Sequence, residues 1–363
     1  MNNGILIFDP VPYFGGSKQV AKSVVKQLPP TCKVTVITAD LSTWQHVTSN
    51  IHQLWIPKFL QGKTNGIKYY LKHLCFACSI VYFMLIDRRF KRLIGISGPT
   101  VDFALYLLNL VINVEIIQLV QGPIPKSKSA AYGLTKADKI FCLSSMEDSV
   151  YQTHGLINDR KNDIQSKIGC FINAIDQNEI VPRINSQELE LFWCASLLPW
   201  KRLDVFLEAI SILRNKYKMT HVCANICYIK PPSSEYRVEL PDNTNNQIRF
   251  KEKPDNLPDI RARSAIFIST SEEEPFGLSI LESLSAKLAV VIPEDGAYWD
   301  TQLTDNLNCL KFKPNNPNHL AKQLYVLINN PPMLRQIAAN GYIHSLRYSS
   351  QACYSQITKA LTQ

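Results

Sequence analysis

The chain has no uncharged apolar run of the ~20 residues that a bilayer-spanning helix requires. Its most apolar segment, Leu74 to Ile86, falls short and is followed by Asp87, Arg88, Arg89, Phe90, Lys91 and Arg92. It therefore should not cross a membrane. Two readings stay open for it: a buried helix ending in a solvated basic turn, or a helix whose apolar and basic surface rests on an anionic leaflet. The opening Met1-Asn2-Asn3-Gly4 has no leader character, so the ten scattered cysteines are expected as reduced thiols in the cytoplasm. Cys75-x2-Cys78 lies in an apolar helix-like run and Cys223-x3-Cys227 in a strand-like one, with no second ligand pair to make a zinc site. Internal repeats and low-complexity tracts are also missing.

What is present is an ordinary globular composition, 46% hydrophobic and 19% charged over 363 residues, long enough for two separate cores. The net charge of +9 is uneven: residues 1–185 hold 20 basic against 12 acidic residues. A basic half implies an anionic partner. No helix-turn-helix, zinc-finger or aromatic RNA-binding signature accompanies it, which points away from nucleic acid and toward a phosphorylated or membrane-surface partner.

Apolar strands alternate with helical patterns along both halves, the mark of parallel sheets covered on two faces. The first series is Ile5–Phe8, Lys33–Thr38, Leu93–Ile96, Glu115–Val120 and Lys139–Leu143, with a short strand finishing near Gly169. A polar stretch from Asp176 to Glu190 reads as a linker. The second series is Leu191–Ala195, Thr220–Cys227, Ile248–Phe250, Ala265–Thr270 and Ala289–Ile292. The expected fold is α/β, two doubly wound Rossmann-like domains at 1–183 and 184–345, with a terminal helix at 346–363 crossing back to the first. Two such domains would turn the carboxyl ends of their sheets toward a central cleft, where ligands of open α/β sheets bind.

The most informative stretch is Glu274-Pro275-Phe276-Gly277-Leu278-Ser279-Ile280-Leu281-Glu282, between the strand at 265–270 and an apolar-periodic helix. It places Glu274 in a loop and Glu282 inside the helix, roughly 7 to 10 Å further along the axis, the span of a sugar diphosphate. Pro275 suits a first helical turn, Gly277 permits close backbone approach, and the N–H groups of Leu278 and Ser279 would be unpaired donors at a positive helix end.

This segment closely resembles the Glu-x7-Glu signature of retaining glycosyltransferases of family 4, which have the GT-B fold. The resemblance implies that Glu274 faces the donor sugar and Glu282 holds the nucleotide ribose. Gly15-Gly16, after the first strand, resembles the family turn that approaches the donor diphosphate. Lys201, in Ser196-Leu197-Leu198-Pro199-Trp200-Lys201-Arg202, matches the lysine that neutralises the departing diphosphate. Ser196 stands where the family has Arg, and Arg202 where it has Gly. Asp295-Gly296 resembles the Gly-rich turn facing the sugar, with Asp295 in place of the first Gly, and Lys287 replaces another. Gln121 occupies a position where relatives often have His and is assigned at most a hydrogen bond.

The resemblance further implies transfer of a sugar from a nucleotide-diphosphate donor to an acceptor hydroxyl with retention, without cofactor or metal. No Asp-x-Asp motif is evident. Lys201, the helix start after Phe276 and the Gly16 backbone would stabilise the leaving phosphate, which accepts the proton. The acceptor is expected to be a saccharide, lipid-linked and destined for bacterial lipopolysaccharide or capsule, met at the inner face of the membrane. Lys18, Arg88, Arg89, Lys126 and Lys128 are the candidates for that contact. A sugar-nucleotide epimerase and a non-catalytic nucleotide-sugar-binding subunit are the alternatives.

Overall fold

The structure is a computed structural model describing residues 4–13, 15–62, 64–86, 90–109, 111–157, 161–184, 189–230, 240 and 247–363. The chain forms two compact units, 1–174 with 350–363, and 175–349. The second unit begins before the polar stretch because Arg183 and Ile184 donate their backbone N–H groups to Ala286 and Ala262 within it. The segment 350–363 packs with the first unit: Tyr354 Oη bonds both N and O of Ala174, and Arg92 Nη1 donates to Leu361 O at 2.9 Å.

The first unit contains β1 (Gly4–Asp9), β2 (Lys33–Thr38), β3 (Ile51–Gln53), β4 (Phe90–Gly95), β5 (Glu115–Val120), β6 (Lys139–Leu143) and β7 (Ile168–Phe171). All neighbours pair in parallel, in the order β3-β2-β1-β4-β5-β6-β7. The second unit contains β8 (Glu190–Ser196), β9 (Cys223–Ile229), β10 (Ile248–Glu252), β11 (Ile266–Ile268), β12 (Ala289–Pro293) and β13 (Leu310–Phe312), also parallel, in the order β10-β9-β8-β11-β12-β13. The α/β, doubly wound character expected of both halves is therefore present. Residues of β1 and β12 are buried throughout, as helices on both faces of a parallel sheet require. β3 and β13 were not anticipated, since three residues hold no readable alternation.

Each sheet reverses its strand order once, between β1 and β4 and between β8 and β11. Crevices for ligands form outside the carboxyl ends of strands at such reversals. Gly15 and Gly16 follow β1, and the segments 197–202 and 269–277 follow β8 and β11.

The helix Ile67–Ile86 is longer than the apolar run at 74–86 suggested, and by length and composition alone it could cross a membrane. One of its sides, through His73, Phe76, Ala77, Ile80 and Met84, is instead part of the first unit's core. Arg88 and Arg89 lie outside the described residues.

Candidate active site

In the second unit, Ser196 ends β8 and the chain enters a short 3-10 turn, Pro199–Lys201. Arg202 then takes a left-handed conformation, φ +50°, before the helix Leu203–Asn215 begins. The turn aims the Lys201 side chain along two partners. Its ammonium pairs with a Glu274 carboxylate oxygen and lies 3.9 Å from the centroid of the Trp200 ring, a cation–π contact.

Three hydrogen bonds tie β8 and the loop after it to the loop after β11. Glu272 N donates to Trp200 O at 2.8 Å, Thr270 Oγ1 donates to Lys201 O at 2.8 Å, and Trp193 Nε1 donates to Thr270 Oγ1 at 3.0 Å. The backbone carbonyl of Lys201 is thus fixed from the opposite loop. Neither Thr270 nor Trp193 stands out in the sequence, because a hydroxyl and an indole in strand-like runs read as ordinary sheet residues.

Glu274 is placed by Gly277. That glycine has φ +73°, and a Cβ there would sit 2.9 Å from Glu274 Cγ and 3.0 Å from Ile280 Cδ1. Gly277 caps the helix Leu278–Ser285, which begins after Pro275, so the proline is a loop residue and not part of the first turn as expected. Ile280 N and Leu281 N donate to Gly277 O. Leu278 and Ser279 occupy the first two helical positions, whose N–H groups have no intrahelical acceptor.

Glu282 lies about one turn further along, with an oxygen accepting from Arg261 Nη1 at 2.9 Å in a largely buried ion pair. Cys194, inside β8, sits within electrostatic reach of Glu282, Arg261, Ser279 and Lys201. Burial, reinforced by the Glu282 carboxylate, pushes its thiol up to about 11, so it stays neutral near pH 7. Arg261 and Cys194 are further site members that spacing alone does not disclose.

Arg202 is a strut. Its Nη2 meets Asp204 Oδ2 at 2.9 Å, and its Nη1 contacts Glu272 and Asn315. These contacts, with Asp204 foremost, raise Arg202 above its ordinary value; Arg202 in turn lowers Asp204, and Asn315 followed by Arg202 lowers Glu272. A phosphate reaching for Arg202 in place of the Arg missing at Ser196 would therefore compete with two carboxylates of this chain, Asp204 and Glu272.

Asp295 and Gly296 belong to the turn after β12. Asp295 Oδ2 accepts from Glu273 N at 2.9 Å and its Oδ1 from Ala297 N at 3.0 Å, so the carboxylate that replaces a glycine ties this turn to the residue preceding Glu274. Gly296 has φ +77° and donates to Asp300 Oδ2. Phe276 is buried against Tyr298, Trp299 and Tyr348, with ring centroids 4.8, 5.2 and 6.1 Å away. Its side chain anchors the loop, leaving only its backbone to meet a ligand.

In the first unit, Gly15 precedes the helix Gly16–Lys26 in an extended conformation and accepts from Lys18 N and Gln19 N. Lys18, expected as a surface contact, is 0% exposed. Its Nζ lies 3.0 Å from Asp9, 3.1 Å from Asp40 and 2.7 Å from Val11 O. Two carboxylates hold it inward, which removes it from the surface. Burial raises Asp9, whereas at Asp40 burial is outweighed by hydrogen bonds from Ser42, Thr43 and Lys18, which bring it down to about 2.

Gln121 Nε2 donates to Ser17 O and Ile96 O, joining the loop after β5 to the first turn of the helix Gly16–Lys26 and to the segment after β4. Four buried side-chain oxygens around these strand ends have no protein partner: Asp9 Oδ1, Ser97 Oγ, Asp102 Oδ1 and Gln121 Oε1. Asp102 is fully buried, and that burial pushes its carboxyl up to about 7 against hydrogen bonds from Gln118 and the Ser97 N–H. Lys126 and Lys128 are exposed.

Comparisons with known proteins bear on both units. The chain is 21% identical over 228 residues to an uncharacterized glycosyltransferase of Methanocaldococcus jannaschii, a match spanning 63% of this chain and 60% of that protein. Anabaena HepE, solved in complex with UDP and glucose, superposes with a TM-score of 0.76 at 14% identity, covering 99% of this chain and 100% of that one. A glycosyltransferase from Rickettsia africae gives 0.70 at 16% identity, over 100% and 99%. These likenesses establish the GT-B fold. Residues 175–344, the stretch of the second unit that holds Lys201, Glu274 and Glu282, match the family model described as glycosyl transferases group 1.

Proposed function

We propose that the chain is a retaining glycosyltransferase that moves a sugar from a nucleotide-diphosphate donor to the hydroxyl of a saccharide acceptor. The acceptor is lipid-linked, in the assembly of bacterial lipopolysaccharide or capsule at the cytoplasmic side. One observation carries the reading: Lys201 pairs with Glu274 just ahead of a helix whose fifth residue is Glu282. An ammonium, helix N–H groups and two carboxylates are the groups that a sugar diphosphate needs, which supports the reading.

A bound diphosphate competes with Glu274 for the Lys201 ammonium and is met by the N–H groups of Leu278 and Ser279. Glu274, released from Lys201, turns to the sugar hydroxyls, and Glu282, oriented by Arg261, accepts from the ribose. The bond between anomeric carbon and phosphate oxygen breaks with its electrons going to the phosphate. The acceptor oxygen bonds to the anomeric carbon on the same face and gives its proton to that phosphate. Lys201 and the helix start supply the positive charge this leaving group needs, so a divalent metal has no required part. That HepE was solved with UDP makes UDP sugars the first donors to test.

Thermal-shift screening against UDP, GDP, ADP and CMP sugars should give a donor that raises the melting temperature, because binding adds about 2.7 kcal/mol of stability at a hundredfold excess over Kd. With that donor, Lys201→Ala and Glu274→Ala should each lower kcat about 100-fold to 1,000-fold, chelator should leave the rate unchanged, and the product should keep the donor's anomeric configuration by NMR. Full activity in Lys201→Ala, or inversion, would overturn the reading. Conversion of the nucleotide sugar with no acceptor present would favour an epimerase.

A further inference from the structure

The helix Ile67–Ile86 places His73, Phe76, Ala77 and Ile80 in the core of the first unit. On a helix facing water, the opposite side carries polar and charged residues. Here that side holds Ile67, Leu71, Leu74, Tyr82, Leu85 and Ile86, all exposed. The spacing 67, 71, 74, 78, 82, 85 follows one stripe of a 3.6-residue helix, and Cys78, also exposed, fills the remaining position. At 1.5 Å per residue the stripe runs about 27 Å. Two more large apolar side chains, Trp55 and Phe59, are exposed on the connection that precedes the helix, at 64% and 71%. This exceeds the scattered surface hydrophobics of ordinary soluble domains.

Charge identifies what covers the stripe. From Leu41 to Ile86 the sequence contains no Asp or Glu, while Lys58 and Lys68 are exposed beside the apolar residues. A second copy of the chain would be a poor occupant, because a two-fold contact sets like charges together with no acid in this segment to answer them. A lipid surface with anionic headgroups answers both features. The apolar stripe enters the boundary between headgroups and acyl chains, the lysines meet the phosphates, and Trp55 and Tyr82 suit the interface by having an apolar body and a polar edge. Spanning is ruled out by the opposite side, whose residues belong to the protein core.

We propose that the face formed by the helix Ile67–Ile86 and the preceding connection docks the first unit on an anionic membrane surface. This docking is independent of the sugar-transfer reading and is tested without activity.

The experiment is flotation of the full chain with vesicles of phosphatidylcholine alone or mixed equally with phosphatidylglycerol. The protein should float with the mixed vesicles and be partly released by salt, since charges beyond the Debye length are screened. Lys58→Glu and Lys68→Glu should each weaken partition about fivefold or more, on mixed vesicles only. The double variant Leu74→Glu with Leu85→Glu should lose flotation at least tenfold while keeping its melting temperature, because both side chains are exposed. Three outcomes overturn the proposal: no flotation of the unaltered chain on either vesicle, flotation unchanged in the leucine double variant, or a concentration-dependent dimer that this variant disperses and vesicles do not compete away. Sugar transfer to a soluble acceptor would survive all three.

Discussion

Gly277 and Gly296 share a positive φ yet differ in surroundings, and the pair separates backbone strain from steric contact. Alanine at Gly296 meets nothing within 4 Å, so only strain applies, about 1 kcal/mol. Alanine at Gly277 adds a clash with Glu274 Cγ, which cannot retreat without moving the carboxylate, and a tight contact with Ile280 Cδ1. Gly277→Ala should cost about 2 to 3 kcal/mol in urea unfolding and abolish donor binding, whereas Gly296→Ala should bind normally or nearly so. Equal costs in the two variants would show that Glu274 is not held by this contact. Asp102 offers a second residue-scale prediction. Its carboxyl is raised to about 7 when folded, against about 3.9 in an unfolded chain. The unfolded chain therefore releases the proton first as pH rises. The stability tied to the protonated form is full below about pH 4 and is lost on approach to pH 7, a fall of about 2 to 3 kcal/mol between pH 5 and 7. Asp9, raised in the same direction, adds to the slope. Asp102→Asn removes its own share, so the gap between the variants' stabilities should shift in the variant's favour from about pH 5 to 7 in a series of urea titrations.

At the scale of elements, the loops after β8 and β11 act as one piece because Thr270 bonds both sides. Its hydroxyl accepts from Trp193 and donates to Lys201 O. Thr270→Val keeps the shape and removes both bonds, leaving a buried indole N–H unsatisfied. We expect a loss of about 1 to 3 kcal/mol in stability and a fall in kcat from the misplaced Lys201; an unchanged kcat would place the control of Lys201 elsewhere. The strands themselves were legible in the sequence wherever β-branched and other apolar residues dominated five or six positions: β2, β5 and β6 have the bounds their patterns predict. β3 and β13 were not, since pairing with a neighbour rather than local pattern makes them strands. The Glu274 and Glu282 arrangement could be read because a glycine, a strand and a helix fix it locally. Lys18 misled for the opposite reason. Lysine is rarely buried, and the two carboxylates that draw it inward come from Asp9 and Asp40, on different segments. Arg202 and Asp295 read as substitutions at ligand positions, but their partners Glu272, Asn315 and Glu273 show them bracing the loops.

At the scale of the molecule, the last fourteen residues return to the first unit although the preceding 175 belong to the second. Tyr354 is the main tie. Its ring lies 6.1 Å from that of Phe171 at the end of β7, and its hydroxyl accepts from Ala174 N at 2.8 Å and donates to Ala174 O at 3.0 Å. Ala174 is the residue at which the chain leaves the first unit, so one phenol clamps both the exit and the return. Tyr354→Phe keeps the ring packing and leaves a buried N–H and C=O unpaired, a cost of about 2 to 3 kcal/mol. Because both hydrogen bonds of the hydroxyl go to Ala174, in the first unit, nucleotide affinity should stay unchanged while amide exchange quickens at Ala174, along β7 and through the helix Ser355–Thr362. Exchange that quickens equally throughout 175–349 would mean that the clamp stabilises the whole chain as one cooperative body. Confinement to the first unit would mean that each sheet keeps its own stability and the terminal helix serves only the unit it closes.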